Sequence, residues 1–297
     1  MQVEKENEDA LARSSSTLRS AFSLIRKNVE ATVGFIIVVI FFGTAGVAAI
    51  ANLLGVTVTP YDPIQQNVGA SLGAPSVAHV FGTDFLGRDV FSRVIASTPN
   101  DVAVSLTVVA FALAFGVLLG SFAAFKGGLL DELLMRFTDV VFALPALVIA
   151  MVISVTLGPG LTHMMIALMV IWWPPYARVA RGEALRVSHQ SYIEAARLSG
   201  QSTFEIVFRH VLPNISTTML VYATLDVGTV VLTYAGLSYL GLSVRPPIPD
   251  LGEMISGSQD YLIDAPWLPV IPGVIIAIIV IGFSLLGDGI RDALEGA

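Results

Sequence analysis

The stretch SYIEAARLSGQSTFEIVFRHVLP, Ser191 to Pro213, is a polar island between two strongly apolar stretches, and its spacing predicts helix, turn, helix. Ser191 stands three residues before Glu194, and Ser202 three before Glu205. Each pair has the S-x-x-E spacing in which hydroxyl and carboxylate satisfy the free N–H groups of a helix start. Gly200 falls where the first helix should stop, since glycine accepts the left-handed conformation at a helix C-terminus. Pro213, with no N–H to donate, should stop the second. Phe204, Ile206, Val207, Phe208 and Val211 give the second helix more apolar surface than a solvated connector needs, so part of it should be covered. The segment reads as a docking element, which implies a partner.

Working outward, the chain is 55% hydrophobic and 13% charged over 297 residues, against about 25% charged for an ordinary soluble domain. These values predict an all-α integral membrane protein. The absence of cysteine excludes thiol catalysis, thiolate metal sites and disulfides, and says nothing about redox compartment. Basic residues are few and do not cluster with aromatics, which argues against nucleic-acid binding. Six runs approach the ~20 apolar residues needed to cross a bilayer as helix: 31–54, 102–125, 140–157, 164–180, 214–238 and 266–287, the third and fourth being short.

Of the 16 Lys and Arg, all but Arg88, Arg93 and Arg245 fall on one side if the N-terminus is inside. Basic residues collect on the cytoplasmic face, so both termini and the 181–213 loop are expected on the cytoplasmic side of a cell membrane, with segments 55–101 and 239–265 outside. Residues 1–30 form a cytoplasmic tail, too long and too charged for an ordinary cleaved signal peptide. The remainder, 31–297, is expected to form one transmembrane domain. Residues 1–10 are acidic and patternless, which predicts disorder. Leu18, Phe22, Ile25 and Val29 make one helical stripe that suits a helix lying on membrane lipid, the alternative being a solvated helix with one apolar edge.

With that topology, Glu194-Ala195-Ala196, Gly200 and Leu212-Pro213 resemble the EAA loop, E-A-A-x3-G-x9-I-x-L-P, of permease subunits of ATP-binding cassette importers. His210 stands at the usual isoleucine, and His-Val-Leu-Pro-Asn at 210–214 is similar to the peptide and nickel branch of that family. Phe81-Gly82-Thr83-Asp84, Leu86-Gly87-Arg88-Asp89 and Ser92-Arg93 resemble the outer loop of C-type permeases of dipeptide and oligopeptide importers. Leu237 to Leu242, Pro246-Pro247, Ala265-Pro266-Trp267 and Leu286 to Asp292 resemble their C-terminal third. The resemblance runs from about residue 80 to 295. It implies the type I (MetI-like) importer fold with six transmembrane helices. It also implies a heterodimer with a homologous B-type permease, two ATP-binding subunits inside and an external substrate-binding protein. Glu194, Ala195, Ala196, Gly200, Phe204, Glu205, Phe208, Leu212 and Pro213 would then couple to the ATPase. No G-x-x-x-x-G-K-[ST] is present, so ATP and Mg belong to the partner subunits and this chain is expected to have neither cofactor nor catalytic residue.

Alternatives stay open at several positions. Glu194 caps its own helix, contacts the partner, or does both. Asp84 with Arg88, and Asp89 with Arg93, have i, i+4 spacing on an expected external helix. They are either a salt-laced membrane-surface helix, where such pairs contribute a few tenths of a kcal/mol, or contacts to the binding protein or companion permease. Asp226 is the sole carboxylate well inside an expected span, which costs about 2.5–3.5 kcal/mol on insertion scales. It serves a translocation route, makes a structural hydrogen bond, or marks a misplaced boundary. Trp172-Trp173-Pro174-Pro175-Tyr176 reads as a kinked, interface-anchored helix rather than an aromatic cage. His79, His163, His189 and His210 lack metal-ligand spacing. Related machinery importing oligosaccharides or nickel is the alternative within the class. An ion-coupled carrier using Asp226 and an intramembrane enzyme are the alternatives outside it.

Overall fold

The computed structural model describes residues 28–295, and within them the chain is helical. The expected N-terminal tail and its amphipathic stripe lie outside these residues, apart from Val29, which opens the first helix and is exposed. The helices are α1 (Val29–Leu54), α2 (Val90–Lys126), α3 (Gly128–Ala143), α4 (Ala146–Leu157) and α5 (Leu161–Ser188), then α6 (Ser191–Leu198), α7 (Thr203–Tyr239), α8 (Leu251–Ser256) and α9 (Trp267–Glu295). Among the described residues the isolated β pairing is a single bridge, Thr83 to Asp89.

Four of these helices, α1, α2, α7 and α9, are long and apolar enough to cross a membrane. At about 1.5 Å per residue the 28 residues of α5 also outreach a hydrocarbon core of about 30 Å. Its Trp, Pro, Tyr and Arg residues lower its hydropathy, and Met164, Leu168, Tyr176, Ala177 and Ala180 are buried in the bundle. The helix runs unbroken through Pro174 and Pro175.

The third expected span, 140–157, needs correction. It is divided between α3 and α4, whose axes meet at 84°. Pro145 is the cause: its ring disfavours helical backbone in the preceding residue, and Leu144 is extended at φ −97°, ψ 139°. The 12 residues of α4 reach about 18 Å, short of a full crossing alone. Residues 128–139, expected as a loop, are helical and tied to α5 by Arg181, which donates through Nε and Nη2 to Asp131 at 2.6 Å each, and by Arg178 to Asp139. The second span also differs, since α2 starts at Val90, inside the segment expected to be external, and continues through Pro99.

Helix α1 packs on α9, α9 on α7, α7 on α2, and α2 on α5, while α4 packs on α5 and also touches α7. The α2–α5 contact is backbone-close. A Cβ at Gly120 would lie 2.1 Å from the Ala177 carbonyl oxygen, so no larger residue fits without separating the helices. Small residues permit such backbone contact where lipid supplies no hydrophobic force between helices. The antiparallel run of α2 and α7 defines two ends: one carries α6 and the start of α7, the other the start of α2 with α8.

Candidate functional site

At the α6 end, the turn is built much as the spacing suggests, with two differences. Gly200 has φ +80°. Around it, Ser199 N–H donates to Ala195 O at 3.0 Å, Gly200 N–H to Arg197 O at 3.0 Å and Gln201 N–H to Ala196 O at 3.2 Å. These bonds close the carbonyl end of α6. The second capping box forms: Glu205 N–H donates to Ser202 Oγ at 3.2 Å and Ser202 N–H to Glu205 Oε2 at 2.9 Å.

The first capping box does not form. Gln190 is the residue that precedes α6, and Ser191 is already helical. Glu194 makes no side-chain hydrogen bond or ion pair with any described residue and points outward. A role in capping its own helix is thereby removed.

Nor does Pro213 end the second helix. The residues from Thr203 run without interruption to Tyr239. A π turn at Val207–Val211 lies just ahead of the proline. Such a turn holds one extra residue and re-aims the carbonyls that a proline ring would otherwise meet. The Asn214 side-chain amide donates to His210 O at 2.6 Å within this widened turn. His210 Nε2 lies 3.0 Å from Gln201 Oε1, tying the helix back to the loop.

The two helices divide their side chains by face. Ile193, Ala196, Ile206, Val207 and Val211 are buried, while Tyr192, Glu194, Ala195, Leu198, Phe204, Phe208 and Pro213 are exposed and Leu212 is half-buried. Leu198 is 90% exposed and Phe204 60%. Phe204 and Phe208 pack at a tilt, 4.4 Å between ring centroids, and lean on Phe122 of α2 at 5.9 and 6.1 Å. Arg197 lies 5.3 Å over Phe125. The result is an aromatic and aliphatic ledge beside an unpaired carboxylate, held against the end of α2.

Glu205 is fully exposed, and the Ser202 backbone and hydroxyl hydrogen bonds lower its pKa below the usual 4.5. A depressed carboxyl contributes stability above its unfolded pKa and loses it as pH falls through the folded value. Protection of the Thr203–Ile206 amides against hydrogen exchange is therefore expected to hold at neutral pH and to fall below about pH 4.5. Ser202→Ala should cost about 1 kcal/mol locally and weaken that pH dependence without abolishing it, because the backbone N–H of residue 202 still donates to Glu205, whereas Glu194→Ala should change neither.

Midway along α7, Asp226 meets α5. Trp172 Nε1 and Tyr176 OH both donate to its Oδ2, the latter at 3.0 Å. The carboxylate lines a groove of about 370 Å³ with residues of α3, α4 and α5. Trp172, expected at the membrane interface, is thus turned toward the bundle, and the sequence offered no signal for this pairing across 54 residues.

At the other end the charged residues differ most from expectation. Asp84, Arg88 and Asp89 precede α2 in a tight loop, and all three with Arg93 are buried. They do not form the expected surface helix with two i, i+4 pairs. Asp84 Oδ1 accepts from Leu86 N–H and Arg88 N–H at 2.9 Å, and Oδ2 from Arg88 Nε at 2.6 Å. Asp89 caps α2 through Ser92 N–H at 2.8 Å and faces His79 Nδ1 at 2.8 Å. Arg93, 1% exposed, reaches Pro63 O at 3.1 Å, Pro247 O at 3.4 Å and Glu253 Oε2 at 3.1 Å. Burial raises the Glu253 pKa, against the opposing effect of Arg93. Beside it, Asp250 accepts from Tyr234, Ser238 and Ser243 hydroxyls and caps α8 through Gly252 N–H at 2.9 Å. These residues bind the two long connections into one cap. Glu253 and Asp250 were not singled out from sequence, and His79 was considered only as a metal ligand.

Among the described residues no group of three or more His, Cys, Asp or Glu is placed to hold a metal. Residues 116–297 match the family described as binding-protein-dependent transport system inner membrane component. The chain is 37% identical over 280 residues to the dipeptide transport system permease protein of Alkalihalophilus pseudofirmus, covering 94% of this chain and 90% of that one. It is 35% identical over 283 residues to the oligopeptide transport system permease protein of Bacillus subtilis, covering 95% and 90%. It is 37% identical over 256 residues to the probable D,D-dipeptide transport system permease protein of Escherichia coli, covering 85% and 86%.

Proposed function

The chain belongs to the family of binding-protein-dependent transport system inner membrane components, and from that membership we propose that it is the C-type permease subunit of an ATP-driven peptide importer. It is a multi-pass membrane protein with a transport role. The names of its relatives, dipeptide, D,D-dipeptide and oligopeptide permeases among them, favour peptide over oligosaccharide or nickel. Its partners are a homologous second permease, two ATP-binding subunits and an external binding protein. Both termini and the 181–213 loop face the cytoplasm, and this chain binds no ATP.

The observation that carries the mechanism is the exposed ledge of Tyr192, Leu198, Phe204 and Phe208 beside Glu194. An apolar patch rimmed by polar residues suits a protein partner, here the ATPase subunit. Because the ledge belongs partly to α7, closure of the ATPase pair moves a helix that continues through the bundle as far as Tyr239. Asp226, on that same helix and open to a groove, stands on the translocation route.

In proteoliposomes holding the complete complex, dialanine uptake driven by internal ATP should stop with vanadate and survive an uncoupler. Vanadate-insensitive uptake that collapses with the uncoupler would instead establish the ion-coupled alternative.

A further inference from the structure

The two oxygens of Asp226 are in different situations. Oδ2 accepts from both Trp172 and Tyr176, whereas Oδ1 takes no hydrogen bond from a described residue and is not sealed from the groove. The groove is otherwise aliphatic, aromatic and proline-lined, with Val141, Phe142, Ile149 and Ile171 among its walls, and no Lys, Arg or His lines it. Arg178, further along α5, is committed to Asp139 and lies 4.1 Å over the Phe142 ring. The carboxylate therefore has fixed orientation, one free oxygen and no cation within the described residues.

We propose that Asp226 Oδ1 is a binding point for the primary ammonium group of a peptide in transit, with Trp172 and Phe142 as the apolar walls beside it. An ammonium group brings three N–H donors on a compact cation, and a charge-assisted bond to a carboxylate is shorter and stronger than a neutral one. A low-dielectric wall sharpens that preference. The alternatives fit less well. A metal ion would need more donors than one carboxylate, and none are gathered here. A sugar would need several side-chain partners for its hydroxyls, whereas among the lining side chains only Asp226 and the already committed Trp172 indole carry polar atoms. The inference rests on the reading of Asp226 as part of the route, and it names the chemical group that the route recognises there.

The test uses the complete transport complex in lipid nanodiscs, held with ATP and vanadate and without the external binding protein, so that the permease alone selects. Saturation-transfer NMR compares dialanine, N-acetyl-dialanine and N-acetyl-alanyl-lysine. Dialanine should receive at least tenfold more saturation than N-acetyl-dialanine, and Asp226→Asn should remove the difference. Comparable saturation of N-acetyl-alanyl-lysine shows that a side-chain ammonium also serves, and its absence assigns the site to the N-terminal one; both outcomes support the ammonium reading. Equal signals from dialanine and N-acetyl-dialanine in the wild type, no signal from any of the three, or a difference that survives Asp226→Asn overturns it. Uptake by the same variant separates the two levels. Lost dialanine uptake with normal assembly and no ammonium preference keeps the route and removes the recognition, while unchanged uptake removes the route itself. Should Asp226→Asn fail to assemble, the wild-type comparison of the acetylated and free dipeptides decides alone.

Discussion

Arg93→Ala is expected to lower the stability of the cap by about 3–5 kcal/mol, the cost of removing one member of a buried charge pair and leaving the other unmatched. The side chain is 1% exposed and is shared by four partners on three stretches of chain: Pro63 O, Asp84, Pro247 O and Glu253. Its loss leaves the Glu253 carboxyl, whose pKa burial already raises, without its closest cation. Thermal unfolding of the purified complex should show a lower midpoint. Limited proteolysis should cut first in 55–89 and 240–250. Arg93→Lys should recover part of the loss and no more, since a single ammonium cannot span the same fork of acceptors. A midpoint unchanged by Arg93→Ala would mean that the cap is held by its apolar contacts and that the charge cluster is incidental.

Gly200→Val should be the most damaging change at the other end, and damaging to coupling rather than assembly. Left-handed backbone costs a residue bearing Cβ about 1–2 kcal/mol, and β-branching adds to it. At φ +80°, with nothing crowding the position, backbone conformation is the sole obstacle. Relief of that strain would swing α6 away from the start of α7 and split the ledge. Basal ATPase activity should persist while dipeptide-stimulated ATPase activity and uptake both fall at least tenfold. Gly200→Asn, which tolerates the left-handed region, should retain most of both. Complete retention of stimulated activity by Gly200→Val would sink the proposal that this turn carries the ATPase stroke.

The turn was legible because its signals are local. Ser202 with Glu205 and the glycine at 200 each act over three or four residues, and each does so in the structure. Pro213 was misread because a local rule was applied without its remedy: the π turn that absorbs a proline has no fixed sequence signature. The break in the third span was hidden by hydropathy, which stays high across Leu144-Pro145, although the residue before a proline carried the warning. At the cap, i, i+4 spacing suggested a helix where Gly82 and Gly87, both with positive φ, make a loop. The remaining pairings, Arg93 with Glu253 across 160 residues and Trp172 with Asp226 across 54, are products of packing that no short-range pattern encodes.

The π turn at Val207–Val211 also sets a phase. Phe204 and Asp226 lie on one helix, so their angular relation is fixed by the number of residues between them, at about 100° per residue. The turn adds one residue to that number. Deleting a single residue from 209–211, beyond Phe208, would restore a regular helix, cure the irregularity, and leave every side chain of the ledge and of the groove in place on its own half. It would also rotate one half against the other by more than a quarter turn. For this segment, length is therefore a stricter inheritance than composition: substitutions between the ledge and the groove can be absorbed, but a change in residue count cannot.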